Sequence, residues 1–102
     1  FKHVQTGKYL DVEGSFIDAG TRVNLWDCNG QKGQGFYIIQ GDENAYVIKP
    51  CYTEHVLDMA ADTGDVGIYP PHLDWDVPRA AQIFEIVFAV AGAITIISAS
   101  SA

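Results

Sequence analysis

Asp11, Trp26 and Gln34 lie in three short stretches of this 102-residue chain: Leu10-Asp11-Val12, Val23-Asn24-Leu25-Trp26-Asp27-Cys28 and Gln34-Gly35-Phe36. An ionised carboxylate only accepts hydrogen bonds, an amide both donates and accepts, and an indole offers a flat apolar face. A ligand that suits all three carries a fan of hydroxyls on one side and a patch of C–H groups on the other, as a sugar ring does. Asp11 can take bonds from two neighbouring hydroxyls, Trp26 can stack on the ring, and Gln34 or Asn24 can donate and accept. Plainer readings stand beside this one. Asp11, followed by Glu13-Gly14, suits a turn cap; Trp26 suits a core, where most tryptophan surface is buried; Gln34 is structural on either reading.

The pattern recurs. Leu10-Asp11-Val12 returns 47 positions on as Leu57-Asp58-Met59, Val23-Asn24-Leu25-Trp26 returns 43 on as Val66-Gly67-Ile68-Tyr69, and Gln34-Gly35-Phe36 returns 48 on as Gln82-Ile83-Phe84. The second set keeps Asp58 and Gln82 and offers Tyr69 as its ring. His72 or Trp75, in a proline-rich loop, would complete it; otherwise this copy is a vestigial repeat kept for folding. A period in the forties signals repeats that close their apolar faces against one another.

The elements that position these residues read as strands. Apolar residues come in short runs broken by Gly, Asp, Asn or Pro, and no helical periodicity appears. Nine strands are expected, at residues 1–4, 8–12, 22–27, 35–40, 46–49, 55–59, 65–69, 82–87 and 93–97. Residues 29–33 are a polar, glycine-rich loop, and residues 70–79 form a long loop. One domain over residues 1–102 follows, with repeat one at 1–44, repeat two at 45–90 and the start of a third at 91–102.

Thirteen acidic against six basic residues argue against nucleic acid, which demands a basic surface. The most apolar run, Ile86 to Ile97, spans 12 residues, short of the roughly 20 of a membrane helix; it is expected in the core, with Ala91-Gly92-Ala93 turning between two strands. Membrane insertion is therefore not expected. Cys28 and Cys51 allow one bridge or none. His3, His55 and His72 share no ligand spacing, so neither a metal nor a cofactor is expected. No nucleophile triad or phosphate loop appears. Asp11 and Asp58, at equivalent repeat positions, belong to separate lobes, whereas glycosidase carboxylates stand within roughly 10 Å of each other; the chain is not expected to be an enzyme. It opens at Phe1 inside an expected strand, so a missing leader says nothing about secretion.

The order Gly-Lys-x-Leu-Asp-Val, Val-x-Leu-Trp-Asp-Cys and Gln-x-aromatic resembles the ricin B-type (R-type) lectin family, whose repeats carry a Gln-x-Trp signature, with the second repeat nearer the fungal members. The resemblance implies an all-β fold, a β-trefoil of three four-strand repeats of about 40–48 residues, here with an incomplete third repeat. It implies a lectin for galactose- or GalNAc-type glycans, with a shallow pocket in which Asp11 holds ring hydroxyls, Trp26 stacks, Asn24 lines the edge and Gln34 orients Asp11. Asp58, Tyr69, His72 and Gln82 would serve the second repeat. Both signatures end in Phe here (Phe36, Phe84), and Tyr9 replaces a cysteine that in many members pairs with the match of Cys28. Gly33 stands where the family often has an asparagine ligand, so a bond is missing unless Asn29 or Gln31 reaches in. Twelve strands are needed and nine are read, so the sequence is incomplete, or a homo-oligomer or partner chain supplies the rest. Such a lectin is secreted or directed to cell surfaces, or cytosolic in the fungal manner. The rival readings are a β-trefoil protease inhibitor acting through the loop from Pro70 to Arg79, and the glycan-binding module of a larger enzyme or toxin.

Overall fold

The computed structural model describes residues 1–41, 45–71, 80–88 and 94–99. Among them are eight strands: β1 (Tyr9–Val12), β2 (Arg22–Trp26), β3 (Phe36–Gln40), β4 (Tyr46–Pro50), β5 (Val56–Met59), β6 (Val66–Tyr69), β7 (Phe84–Phe88) and β8 (Ile94–Ser98). They form two four-stranded sheets, ordered β1-β2-β6-β5 and β3-β4-β7-β8. The first sheet joins two hairpins, β1/β2 and β5/β6, through the antiparallel pair β2–β6. The second collects the strands that flank those hairpins, each paired antiparallel with its neighbour. The unit of hairpin plus flanking strands is thus used twice, and β8 opens a third round. Among the described residues no helix is long and apolar enough to cross a membrane.

Alternation along the strands sorts side chains between core and surface. Val12 and Val23 of the first repeat, and Ile48, Leu57, Ile68 and Phe84 of the second, form one buried cluster. The core is therefore shared between the repeats. The run from Ile86 onward folds as β7 against β8; Ile86 is buried, but Val87 and Ile97 are exposed, and its expected turn at 91–93 lies outside the described residues.

Two expectations are corrected. Residues 1–4 are not a strand: only Lys2 bridges Tyr9, and Val4 is 80% exposed. The chain turns back at once, because the His3 carbonyl accepts from Gly7 N at 2.8 Å while His3 N donates to the Lys8 carbonyl at 2.7 Å. Gly7 meets that turn with φ +73°, backbone that glycine adopts without penalty. Lys32–Gln34 and Ala80–Gln82 are short 3-10 turns, so Gln82 precedes its strand rather than opening it.

Ile68, fully buried at the junction of the two repeats, supplies the first test. Ile68→Ala is expected to cost about 2–5 kcal/mol, read by urea unfolding. Ile38→Ala, on exposed β3, should stay within roughly 0.5 kcal/mol of the parent.

Candidate functional site

Directly opposed residues of an antiparallel pair share a face. Asp11 faces Asn24 across β1–β2, and Trp26 lies two residues beyond Asn24 on the same strand and face. These three side chains, with Glu13, Gly14, Ser15, Asn29 and Gln31, line a cavity of about 370 Å³. The expected Asp11, Asn24, Trp26 and Asn29 are therefore together. Trp26 is 58% exposed, which excludes a core role.

Asp11 is buried, and its carboxylate needs a donor. Gln34 supplies it: Nε2 donates to Asp11 Oδ2 at 2.8 Å and to the Asp27 carbonyl at 2.8 Å. Gln34 Oε1 accepts from Asn29 N at 3.1 Å. The amide's three bonds thus go to β1 and to residues 27–29, and it is not among the residues that line the cavity. Asp11 Oδ1 has no hydrogen-bond partner among the described residues, and its side chain caps no turn. Asn29 Oδ1 accepts from Gln31 N at 2.9 Å, fixing the loop that brings both residues to the rim.

The second repeat reproduces this frame. Gln82 Nε2 donates to Asp58 Oδ2 at 3.1 Å and to the Pro70 carbonyl at 3.0 Å, and Pro70 is the residue after Tyr69 as Asp27 is after Trp26. Asp58, Tyr69 and Gln82 help to line a cavity of about 700 Å³, and Tyr69 is exposed. His72 and Trp75 lie outside the described residues, as does most of the loop from Pro70 to Arg79.

A family model described as ricin-type beta-trefoil lectin domain-like matches residues 1–69. The chain belongs to this family. No curated protein matches it. Among solved structures, the crystal structure of a designed 3-fold symmetric protein, ThreeFoil, is similar at a TM-score of 0.80 and 19% identity, over 93% of this chain and 67% of that one. At that identity the likeness establishes the fold: a β-trefoil, all-β, with two repeats and the start of a third.

In this ricin-type domain Gly33 is more than an absent ligand. A Cβ built on it would stand 2.6 Å from the Val12 carbonyl oxygen, 2.9 Å from Ser15 Oγ and 3.3 Å from Asp11 Oδ1. Its N–H donates to Ser15 Oγ at 3.0 Å, which anchors Ser15 in a left-handed backbone (φ +53°) that costs a non-glycine residue energy. The backbone thus packs directly against the carboxylate, and an asparagine could not take this place without moving it. Asn29 and Gln31 stand at the rim instead. The sequence marks the position only as a glycine in a loop; the close approach is tertiary. Cys28 and Cys51 are both free and exposed.

Tyr52, from the turn after β4, donates its hydroxyl to the Phe16 carbonyl at 2.7 Å, tying the loop beyond the first cavity to the second repeat. Burial raises its pKa above the ordinary tyrosine value of 10.0, with the negative charges of Asp11 and then Cys51 adding to the rise. Folding thus favours the protonated phenol. Its contribution is whole below pH 10 and is lost as pH rises through the folded-state value. Tyr52→Phe should flatten stability against pH on the alkaline side, seen by urea unfolding at successive pH values.

Gly33→Ala is expected to destabilise the domain by about 1–3 kcal/mol through overpacking. It should also shift the Asp11 and Ser15 amide resonances.

Proposed function

We propose that this domain is a carbohydrate-binding lectin module without catalytic activity, taking galactose- or GalNAc-type glycans at the cavity of Asp11, Asn24, Trp26 and Asn29. One observation carries the reading: an exposed indole stands beside a buried carboxylate that has one oxygen clamped by Gln34 and the other without a partner among the described residues. The ring supplies the stacking face, Asp11 Oδ1 accepts from ring hydroxyls, and Asn24 and Asn29 offer amides at the edge. Membership of the lectin family supports carbohydrate as the ligand class; the choice of galactose or GalNAc rests on the resemblance in the residues of repeat one. The second cavity, with Asp58, Tyr69 and Gln82, is a second site of the same kind, and His72 is its proposed further ligand.

Each hydroxyl bond replaces one to water, so single-site affinity falls in the range of about millimolar to tens of micromolar. Useful avidity then comes from two sites or from association. Tyr37, Ile38 and Ile39 on edge strand β3 are all exposed, and an exposed apolar edge invites pairing. We therefore include a second copy or a partner strand set, completing the trefoil, among its partners. Nucleic acid is not among them on an acidic chain, nor is membrane insertion part of the reading. Glycans of this type place the protein at cell surfaces or outside cells.

Retention on immobilised galactose with lactose elution tests the reading. The parent should be held and released by lactose, and Asp11→Ala should flow through. A parent that passes through galactose and GalNAc resins alike would overturn it, and inhibition of a protease by the same protein would move the function to the loops.

A further inference from the structure

The two cavities share one frame and differ in their rims. Where the first presents Glu13, Asn24 and Trp26, the second presents Ala60, Gly67 and Tyr69 at the matching repeat positions. A carboxylate and an amide side chain are thereby removed. Two charged groups are added: Asp65 and, from the other repeat, Arg22 at the start of β2, both of which line the second cavity.

The register explains how it gets there. Arg22 is opposite Gly67 across β2–β6, and Gly67 is opposite Asp58 across β5–β6. The three residues therefore form one row on one face of the sheet, and the central one carries no side chain of its own. Arg22 and Asp58 flank that residue from two strand spacings apart, roughly 10 Å between Cα atoms. A Cβ on Gly67 would lie 3.1 Å from Tyr69 Cε2 and Gly67 is buried, so the Tyr69 ring covers the glycine and forms the surface between Arg22 and Asp58. A sugar ring seated on Tyr69 would thus have a hydroxyl acceptor, Asp58, on one side and a guanidinium on the other.

Arg22 is exposed and has no ion-pair partner among the described residues, where the one salt bridge joins Lys49 and Glu54. A guanidinium has five donors and no acceptor, and its fork matches a carboxylate with two parallel bonds. The first cavity has no cation among its lining residues. The second also holds Asp65, so two carboxylates face one cation. That balance disfavours a bare inorganic anion and favours a ligand that offers hydroxyls to Asp58 as well as an anionic group to Arg22.

We propose that the second-repeat cavity selects an acidic sugar, a hexuronate whose carboxylate is read by Arg22, while the first takes the neutral ring. The proposal rests on the lectin reading above and deepens it.

Amide NMR titrations with galactose, galacturonate, a sulfated galactose and inorganic sulfate at fixed ionic strength test it. Galactose should move the Trp26 indole and the Gly14 and Ser15 amides. Galacturonate should move the Gly67 and Thr63 amides and bind there about three- to tenfold tighter than galactose, the range for a charge-assisted bond at a partly exposed site. Arg22→Gln should bring the two sugars to parity at Gly67 with the Trp26 response unchanged, and Arg22→Lys should restore part of the preference. Inorganic sulfate should leave Gly67 in place. A sulfated galactose matching or exceeding galacturonate would overturn the carboxylate assignment. Equal binding of galactose and galacturonate at Gly67 in the parent, or an Arg22→Gln variant that keeps the preference, would overturn the proposal while leaving the lectin reading intact if Trp26 still responds. If no sugar moves either set of resonances, the lectin reading and this inference fall together.

Discussion

The bond from the glutamine amide to a buried aspartate is the constraint on which both cavities depend. Gln34 Nε2 reaches Asp11 on the first hairpin strand and the carbonyl just past the second, and Gln82 does the same with Asp58 and Pro70. One neutral group thereby fixes the spacing of three segments. Its neutrality matters as much as its reach. Had an arginine held Asp11, the carboxylate charge would be matched by a cation and its oxygens saturated. A neutral donor satisfies one oxygen and leaves the carboxylate without a cation partner among the described residues. The carboxylate is thereby held in position while its other oxygen has no hydrogen-bond partner among the described residues.

The same economy shows in how the core is built. Six buried apolar residues come from both repeats, and β2–β6 joins the two hairpins into one sheet. A single repeat has too little apolar surface to close on itself. Among the described residues β3 and β8 end their sheet, and Tyr37, Ile38, Ile39, Val87 and Ile97 are exposed on it.

Much of this was legible in the residues. Asp11, Trp26 and Gln34 stand out because their counterparts recur at similar intervals, and recurrence filters chance matches that a single motif cannot. The strand runs were legible for the same reason, apart from boundaries. What failed did so for tertiary reasons. Phe1 to Val4 has the alternation of a strand, but hydrogen bonds to Gly7 and Lys8 turn it back before it can extend. Gly33 looked like a lost ligand because a one-dimensional reading cannot show a backbone pressed against a carboxylate. Arg22 escaped notice altogether. It belongs to one repeat and lines the cavity of the other, so neither repeat read alone would reveal it. The available signal was Gly67, a glycine inside a strand pattern, which often marks a close approach or an empty place.

This division between frame and rim explains how one domain can hold two unlike pockets. The Asp–Gln frame is buried or half-buried, and a change there would disturb the spacing of three segments at once. Rim positions such as Asn24 and Gly67 sit on the open face of a hairpin whose other face is already anchored by Val23, Val66 and Ile68. Replacing an amide by a glycine at such a position loses no core contact. It leaves room that the Tyr69 ring covers, and the residue opposite on the neighbouring strand, Arg22, then borders the cavity. In a sheet made by joining hairpins from successive repeats, that residue necessarily comes from the other repeat. The chemistry of the second pocket is therefore set partly by the first repeat. Two repeats that began alike can diverge in ligand without any change in the bonds that hold them folded.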